Sequence, residues 1–529
     1  MSVIIIMVAL ILFLSILAEK FSGKFGLPAL ILFMGIGMIF GCDGIFRIQF
    51  EDYNVTERIC GIALGFIMFY GGFNTKWNAA KPVAVKAIMM STLGVVLTAL
   101  FTAVFCYSVL GFTYVDSFLT GAVLSCTDAA SVFSVLRKKN VNLKYGTASI
   151  LEVESGSNDP MAYMLTVTGI ALKCGESMGN LIYTILAQVI FGVIVGVAMA
   201  FIGLLLYKKK DFIPAGLDTI FMISLILLAY GLSDLVGGNN FLSVYIMGII
   251  LGNKKIRGKE VMIPFFDGIT GLAQILIFFL LGLLAFPHKL PEVFIPSLLV
   301  TLFITVIARP VTVFALLKPL GCSINQCLMV AWAGLRGASS IVFAIMVTVG
   351  GDDKMFHIVF MVSLLSVAIQ GTLLPKVAHK LNMVDSSCDV RKTFNDYKEE
   401  SAITMMRMYI PEGHNWENKC ISEVSMPTGS LALMIKRGDD TIIPRGDTRI
   451  LSQDSIILSV PSFEPDEDED LKEIYIDSTH EWSGKTIEEL NLPNNILIAL
   501  VKRGNNNLIP DGRTMICADD VVVIYNNSV

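Results

Sequence analysis

Apolar residues fill the first 380 positions in long stretches separated by short polar loops, and from about residue 400 the pattern changes to brief β-rich runs. About 20 mostly apolar residues suffice to cross a bilayer as a helix. Thirteen stretches are candidates, at about 3–18, 27–41, 59–73, 83–110, 117–136, 145–172, 180–207, 217–235, 241–252, 264–286, 292–317, 325–349 and 356–378. The first reads as a retained span, because no basic stretch precedes it and Ala18 runs into Glu19-Lys20 without a small-residue cleavage site. The expected organisation is an α-helical polytopic membrane domain over 1–385, a linker over 386–400, and small α/β modules over 401–460 and 471–529, joined by an acidic linker over 461–470.

The two modules are a tandem repeat. The segment from Trp416 recurs at Trp482, an offset of 66 residues that also carries Lys436-Arg437-Gly438 onto Lys502-Arg503-Gly504, Pro427 onto Pro493 and Asp454 onto Asp520. Each copy is predicted as a strand ending near Tyr409 or Tyr475 and a short helix around 421–424 or 487–490. A hairpin comes next, turning at Arg437-Gly438-Asp439 or Arg503-Gly504-Asn505. A unit of about 60 residues has a thin core and gains from a partner, either the other copy or a second chain.

Three polar interruptions break the apolar pattern of the membrane domain. Glu152, Glu154, Ser155, Asn158 and Asp159 fall within one stretch, Thr127-Asp128 within the preceding one, and Gly334-Leu-Arg-Gly-Ala-Ser-Ser340 late in the second half. Ionisable groups at bilayer depth face a cavity or a partner and mark an ion or proton path. On a helix Ser155 and Asp159 share one face, with Glu154 and Asn158 beside them. Pro160 frees a backbone carbonyl one turn back. A carboxylate, a hydroxyl and free carbonyls make a hard-oxygen site suited to an alkali cation, and the same carboxylate can take a proton instead. Paired interruptions in two halves point to a midplane site in transporters built from inverted repeats with broken helices.

Composition agrees: 54% of the 529 residues are hydrophobic and 16% charged. Alternate loops hold Lys20, Lys24; Lys76, Lys81, Lys86; Arg137, Lys138, Lys139, Lys144; Lys208, Lys209, Lys210; Lys254, Lys255, Arg257, Lys259; and Lys318, which is 17 basic residues. The other loops hold 5, namely Arg47, Arg58, Lys173, Lys289 and Lys354. The positive-inside rule then places the C-terminal tail in the cytoplasm and, with an odd number of spans, the N-terminus outside. The residue usage fits a bacterial cytoplasmic membrane. Ten scattered cysteines suggest neither a disulfide framework nor a zinc site. All five histidines (His288, His357, His379, His414, His480) are expected in loops or the tail, which leaves proton chemistry to carboxylates.

Thr127-Asp128, Glu154-Ser155-Gly156-Ser157-Asn158-Asp159-Pro160 and Gly334-Leu335-Arg336-Gly337 resemble the signature stretches of cation/proton antiporters of the NhaP kind. That resemblance implies a thirteen-span homodimer with crossed, broken helices and no enzymatic activity. It makes Asp159 the ion- and proton-binding carboxylate, beside Asn158. Thr127 through its carbonyl, Ser155, and Asp128 directly or through water would complete the shell of a potassium or sodium ion. It pairs Glu154 with Arg309 and gives Arg336 the role of compensating the broken twelfth helix. Many relatives carry an acid before the paired glycines of the third span, where this chain has Phe69-Tyr70-Gly71-Gly72.

The repeated module resembles the C-terminal half of regulator-of-potassium-conductance units, the TrkA-C type, which dimerise and bind small ligands. The glycine-rich dinucleotide turn of such units is absent, which disfavours NAD and leaves open a dinucleotide such as cyclic di-AMP held between two modules. No nucleic-acid partner is indicated. Asp159, taking a cation or a proton in turn, implies electroneutral exchange. The alternative is a cation channel with a regulatory tail, for which Thr348-Val349-Gly350-Gly351-Asp352 is a faint filter-like string lacking an aromatic and a pore helix.

Overall fold

The computed structural model describes residues 2–526 apart from 26–27, 51, 140, 210–211, 215, 255, 350–352, 385–402, 425, 427–429, 438–439, 462–470, 478–479, 491, 493–495, 504–505, 509 and 519. The expected linker over 386–400, most of the acidic linker, the glycines of both hairpin turns, Pro427 and Pro493, and the last three residues of the filter-like string lie outside the described residues. The chain divides into two compact units, between residues 398 and 399.

The first unit is helical. Its main helices are α1 (Ser2–Phe25), α2 (Ala29–Phe40), α3 (Tyr53–Asn74), α4 (Ala84–Leu110), α5 (Tyr114–Val123), α6 (Ala129–Lys138), α7 (Thr147–Lys173) and α8 (Met178–Lys208). Then come α9 (Asp218–Leu235), α10 (Asn240–Gly252), α11 (Lys259–Leu284), α12 (Pro287–Leu317), α13 (Ile324–Trp332), α14 (Ala338–Thr348) and α15 (Lys354–Lys380). Seven described helices, α3, α4, α8, α9, α11, α12 and α15, are long and apolar enough to cross a membrane. Helix α7 has the length as well, but carries Glu152, Glu154 and Asp159 in its interior.

Packing sorts these helices into two groups. Helices α2, α3, α8, α9, α10 and α11 lie chiefly against one another, and α4 to α7 with α12 to α15 form the other group. The tightest approach, α3 on α10, depends on missing side chains: a Cβ on Gly248 would strike the Phe69 carbonyl, and one on Gly252 that of Phe73. In the second group, α4, α12 and α15 each contain a π-helical turn, at Met90–Gly94, Ile304–Ala308 and Val367–Gly371. Such turns widen the helix locally and re-aim the side chains after them. Arg309 directly follows the second of these turns, and Gln370 lies within the third.

The histidine placements are corrected here: His288 sits in the 3-10 turn that opens α12 and His379 in the last turn of α15. His357 is not in a loop but in the first turn of α15, with its ring buried. Its Nε2 accepts the Phe286 N–H at 3.2 Å, its Nδ1 lies 2.8 Å from the Asp353 carbonyl, and the ring stacks on Phe286. Residue 357 already falls inside the 356–378 candidate stretch, so the histidine belongs to that helix and not to the loop before it.

The second unit holds two four-stranded antiparallel sheets. The strands are β1 (Ile403–Tyr409), β2 (Leu431–Arg437), β3 (Asp440–Ile442) and β4 (Ser455–Pro461), in the order β1-β4-β2-β3. Strands β5 (Leu471–Tyr475), β6 (Ile496–Arg503), β7 (Asn506–Leu508) and β8 (Asp520–Asn526) repeat it as β5-β8-β6-β7. The register shift between Ala432 and Met434 recurs between Ile498 and Leu500, and Ile410, Ile435, Ile450 and Ile456 of one core become Ile476, Val501, Ile516 and Val522 of the other. Among the described residues the predicted short helices are single 3-10 turns, Ile421–Glu423 and Glu488–Leu490. The first strand of each hairpin, β2 or β6, also pairs with the late strand β4 or β8, which reading the hairpin alone did not supply.

The same ion pair closes each sheet. Arg437 grips Asp454 through Nε and Nη2 at 2.9 and 2.8 Å, and Arg503 grips Asp520 at 2.8 Å through both. Hydrogen bonding from Arg503 holds the Asp520 carboxyl below its ordinary range against the opposing effect of burial. Stability from this pair is therefore present above the unfolded-state value of about 4 and is lost as pH falls through it toward the folded-state value. Replacing Arg503 with Met should speed hydrogen exchange of the β6 and β8 amides roughly tenfold at neutral pH. It should also flatten their acid dependence once intrinsic rates are removed. Unchanged protection would show that the pair contributes nothing.

Candidate ion-binding site

Two helices are broken within the second group, α5 from α6 over residues 124–128 and α13 from α14 over residues 333–337. The unwound segments meet backbone to backbone, where the Asp128 N–H donates to the Leu335 carbonyl at 2.8 Å. Gly337 permits the approach, since a Cβ there would strike the Asp128 carboxylate.

A break inside a membrane protein leaves helix-end groups without partners and dipole charge without screening. Charged side chains satisfy both. Buried Arg336 donates through Nη1 to the carbonyls of Ser125 and Cys126 at 3.0 and 2.5 Å, capping the C-terminal end of α5. Asp128 accepts from the Ser131 N–H at 3.1 Å and its hydroxyl at 2.5 Å, capping the start of α6. Arg336 thus compensates the fifth-span break across the crossing, not the break in its own helix. Its own N–H donates to Ser366 Oγ at 3.1 Å, and Ser366 donates to Gln370 Oε1 at 2.6 Å.

Helix α7 passes beside the crossing and presents its polar face to it. Ser155 Oγ accepts the Ala129 N–H at 3.0 Å and donates to the Thr127 carbonyl at 2.8 Å, while Asn158 Nδ2 donates to Thr127 Oγ1 at 2.6 Å. Asp159, 3% exposed, accepts at Oδ2 from Ser339 at 2.6 Å, a hydroxyl in the first turn of α14. Its Oδ1 and the Oδ1 of Asn158 are buried and have no protein hydrogen-bond partner among the described residues. Two unpartnered oxygens, one of them a carboxylate's, suit a partly dehydrated cation or a proton, and leaving them empty is costly.

One turn away, Glu154 accepts from Arg309 Nη2 at 2.5 Å, with both side chains at or below 2% exposure. The guanidinium lies against Gly334, where a Cβ would sit 2.7 Å from its Nε.

The structure thus gathers Thr127, Ser155, Asn158 and Asp159, pairs Glu154 with Arg309 as a separate unit, and commits the Asp128 carboxylate to a helix cap. Ser339 and Ser131 were not singled out from sequence. Ser339 stood in the Gly334–Ser340 interruption, but nothing local says that residue 339 touches residue 159. At Tyr70 the phenol donates to Asp267 Oδ1 at 3.0 Å, so a carboxylate is supplied there from α11.

Known proteins share both parts of the chain. Residues 8–380 match the transmembrane domain of the sodium/hydrogen exchanger family, and residues 405–462 and 471–528 each match the TrkA-C domain. The K(+)/H(+) antiporter NhaP2 of Shewanella baltica (strain OS223) is 31% identical over 462 residues, covering 85% of this chain and 79% of its own. The K(+)/H(+) antiporter NhaP of Alkalimonas amylolytica is 29% identical, covering 86% and 80%. The solved sodium proton antiporter MjNhaP1 from Methanocaldococcus jannaschii at pH 8 superposes with a TM-score of 0.64 at 25% identity, covering 72% of this chain and 99% of that one. The chain belongs to the sodium/hydrogen exchanger family of membrane antiporters and carries two TrkA-C domains after its transmembrane domain.

Proposed function

We propose that Asp159 holds one monovalent cation or one proton at a time, so that potassium, or sodium with lower preference, is exchanged one for one for protons across the cytoplasmic membrane. The observation that carries this is the pair of buried, unpartnered oxygens Asp159 Oδ1 and Asn158 Oδ1 beside the crossing. The same uncommitted oxygen can carry a proton or coordinate a cation but not both, so proton and cation compete for it. Thr127 and Ser155 complete the shell, and Asp128 serves it through a bridging water. Potassium is favoured because the Shewanella and Alkalimonas relatives are named as K(+)/H(+) antiporters. The basic loops argue for an outside N-terminus and a cytoplasmic tail, and the chain acts as a homodimer in which one helix group of each protomer moves against the other. The TrkA-C modules bias that motion through a ligand that prefers one conformation, with cyclic di-AMP the leading candidate.

In proteoliposomes holding a pH gradient, wild-type protein should collapse the gradient on addition of potassium. Asp159→Asn should reduce the rate to that of protein-free vesicles, and cyclic di-AMP on the tail side should change the wild-type rate. Wild-type transport by Asp159→Asn, or cation flux without proton movement, would overturn the scheme. An unaltered rate with the nucleotide would remove that ligand alone.

Glu154 and Arg309 are assigned a scaffold role. Glu154→Ala leaves a buried guanidinium unpaired and should cost about 3–5 kcal/mol. The double change Glu154→Ala, Arg309→Met should cost clearly less than the sum of the single ones in thermal unfolding of purified protein. Additive losses would contradict the pairing.

A further inference from the structure

Helix α15 ends in a closed cap. Asn382 takes a left-handed backbone with φ 53°, its N–H donates to the His379 carbonyl at 3.0 Å, and the Met383 N–H donates to the Ala378 carbonyl at 3.0 Å. This is the Schellman arrangement, which satisfies the helix end by itself. The chain nevertheless makes a second attachment before it leaves the membrane unit. Val384 forms an isolated antiparallel bridge with Leu143, the Lys144 N–H donates to the Met383 carbonyl at 2.9 Å, and Lys144 Nζ reaches the Asn382 carbonyl at 3.4 Å. Met383, 1% exposed, and Leu143 belong to the buried cluster that holds Leu136 of α6 and Leu151 of α7. On the same turn, Gln326 at the start of α13 donates through Nε2 to the Tyr145 carbonyl and to Thr147 Oγ1, both at 3.2 Å.

Every element meeting at this turn leads to the ion site. Helix α6 starts at the Asp128 cap, α7 carries Asp159, and α13 ends at the 333–337 break. Val384, in turn, is where the chain departs toward the TrkA-C domains, the first of which begins at residue 405. A pull or twist from the tail reaches the membrane unit along the chain at Val384, and where that residue is fastened decides which helices feel it. Backbone bonds and a buried methionine fasten it to the α6–α7 turn, in addition to the end of its own helix. We infer, resting on the proposed regulation by the modules, that the bridge between 143–144 and 383–384 is the route of that regulation. A change in the modules shifts the α6–α7 turn through Val384 and so biases the position of Asp159 and of both broken helices.

The test uses the full-length chain in proteoliposomes, with a protease site placed within 386–400 and protease added on the tail side. Severing the tail should change the rate of potassium-driven gradient collapse at least about five-fold. It should also change hydrogen exchange of the 143–150 amides roughly three-fold. Two alterations should each bring the rate response below about two-fold. Lys144→Pro removes the N–H that bonds Met383, with Met383→Ala in its place if the proline variant does not fold. A flexible Gly-Ser insertion ahead of the protease site leaves the bridge intact and slackens the chain beyond it. Once severed, the insertion variant should run at the rate of the severed wild-type chain. A full response in either alteration would mean that the modules act by another path, which overturns the inference and leaves their regulation standing. Absence of any response to severing in the otherwise wild-type chain would remove the regulation itself, and the inference with it.

Discussion

Everything in the membrane unit depends on satisfying two broken helices where water is scarce. Unwinding 124–128 and 333–337 exposes carbonyls and N–H groups that cannot be left bare in a low-dielectric interior. The chain meets that demand with a backbone bond between the segments, Arg336 on the Ser125 and Cys126 carbonyls just past α5, and Asp128 at the start of α6. Each buried charge therefore lies at the helix end of opposite dipole sign. Gly337 lets the crossing close, and π turns in α12 and α15 adjoin Arg309 and contain Gln370.

Most polar groups in this region are consumed by that scaffold. Ser155 spends its hydroxyl on the unwound strand, Asn158 commits its amide N–H to Thr127, and Glu154 commits one oxygen to Arg309. Glu154 keeps its second oxygen unpartnered but has Arg309 to balance its charge, whereas Asp159, with no basic partner among the described residues, is held at one oxygen by Ser339 and free at the other, next to the free carbonyl oxygen of Asn158. Rigid neighbours and one uncommitted carboxylate oxygen are what an exchanger needs. On the proposed scheme the pocket keeps its shape while its occupant changes from proton to cation.

The sequence exposed the parts of this arrangement that are local. Asp159 and Asn158 could be read because charge and amide within an apolar helix are conspicuous, and the breaks because small polar residues replace the apolar run. The 66-residue repeat put the module cores in register. Contact between distant segments escaped: Ser339 with Asp159, Arg336 with the α5 end, Tyr70 with Asp267, and strand β4 with β1. Periodicity states which side of an element is polar but not which element it will meet. The misplaced His357 and the 3-10 turns within the modules are boundary effects, decided by a few residues whose local preferences are weak.

The central claim is that cation and proton share Asp159. It is tested most directly by adding potassium to purified protein in weakly buffered solution and measuring the protons released. The account predicts that protons are released as potassium binds, at most one per protomer and fewer as the pH is raised, and none from Asp159→Asn. Potassium binding without proton release, or release that persists in Asp159→Asn, would contradict it.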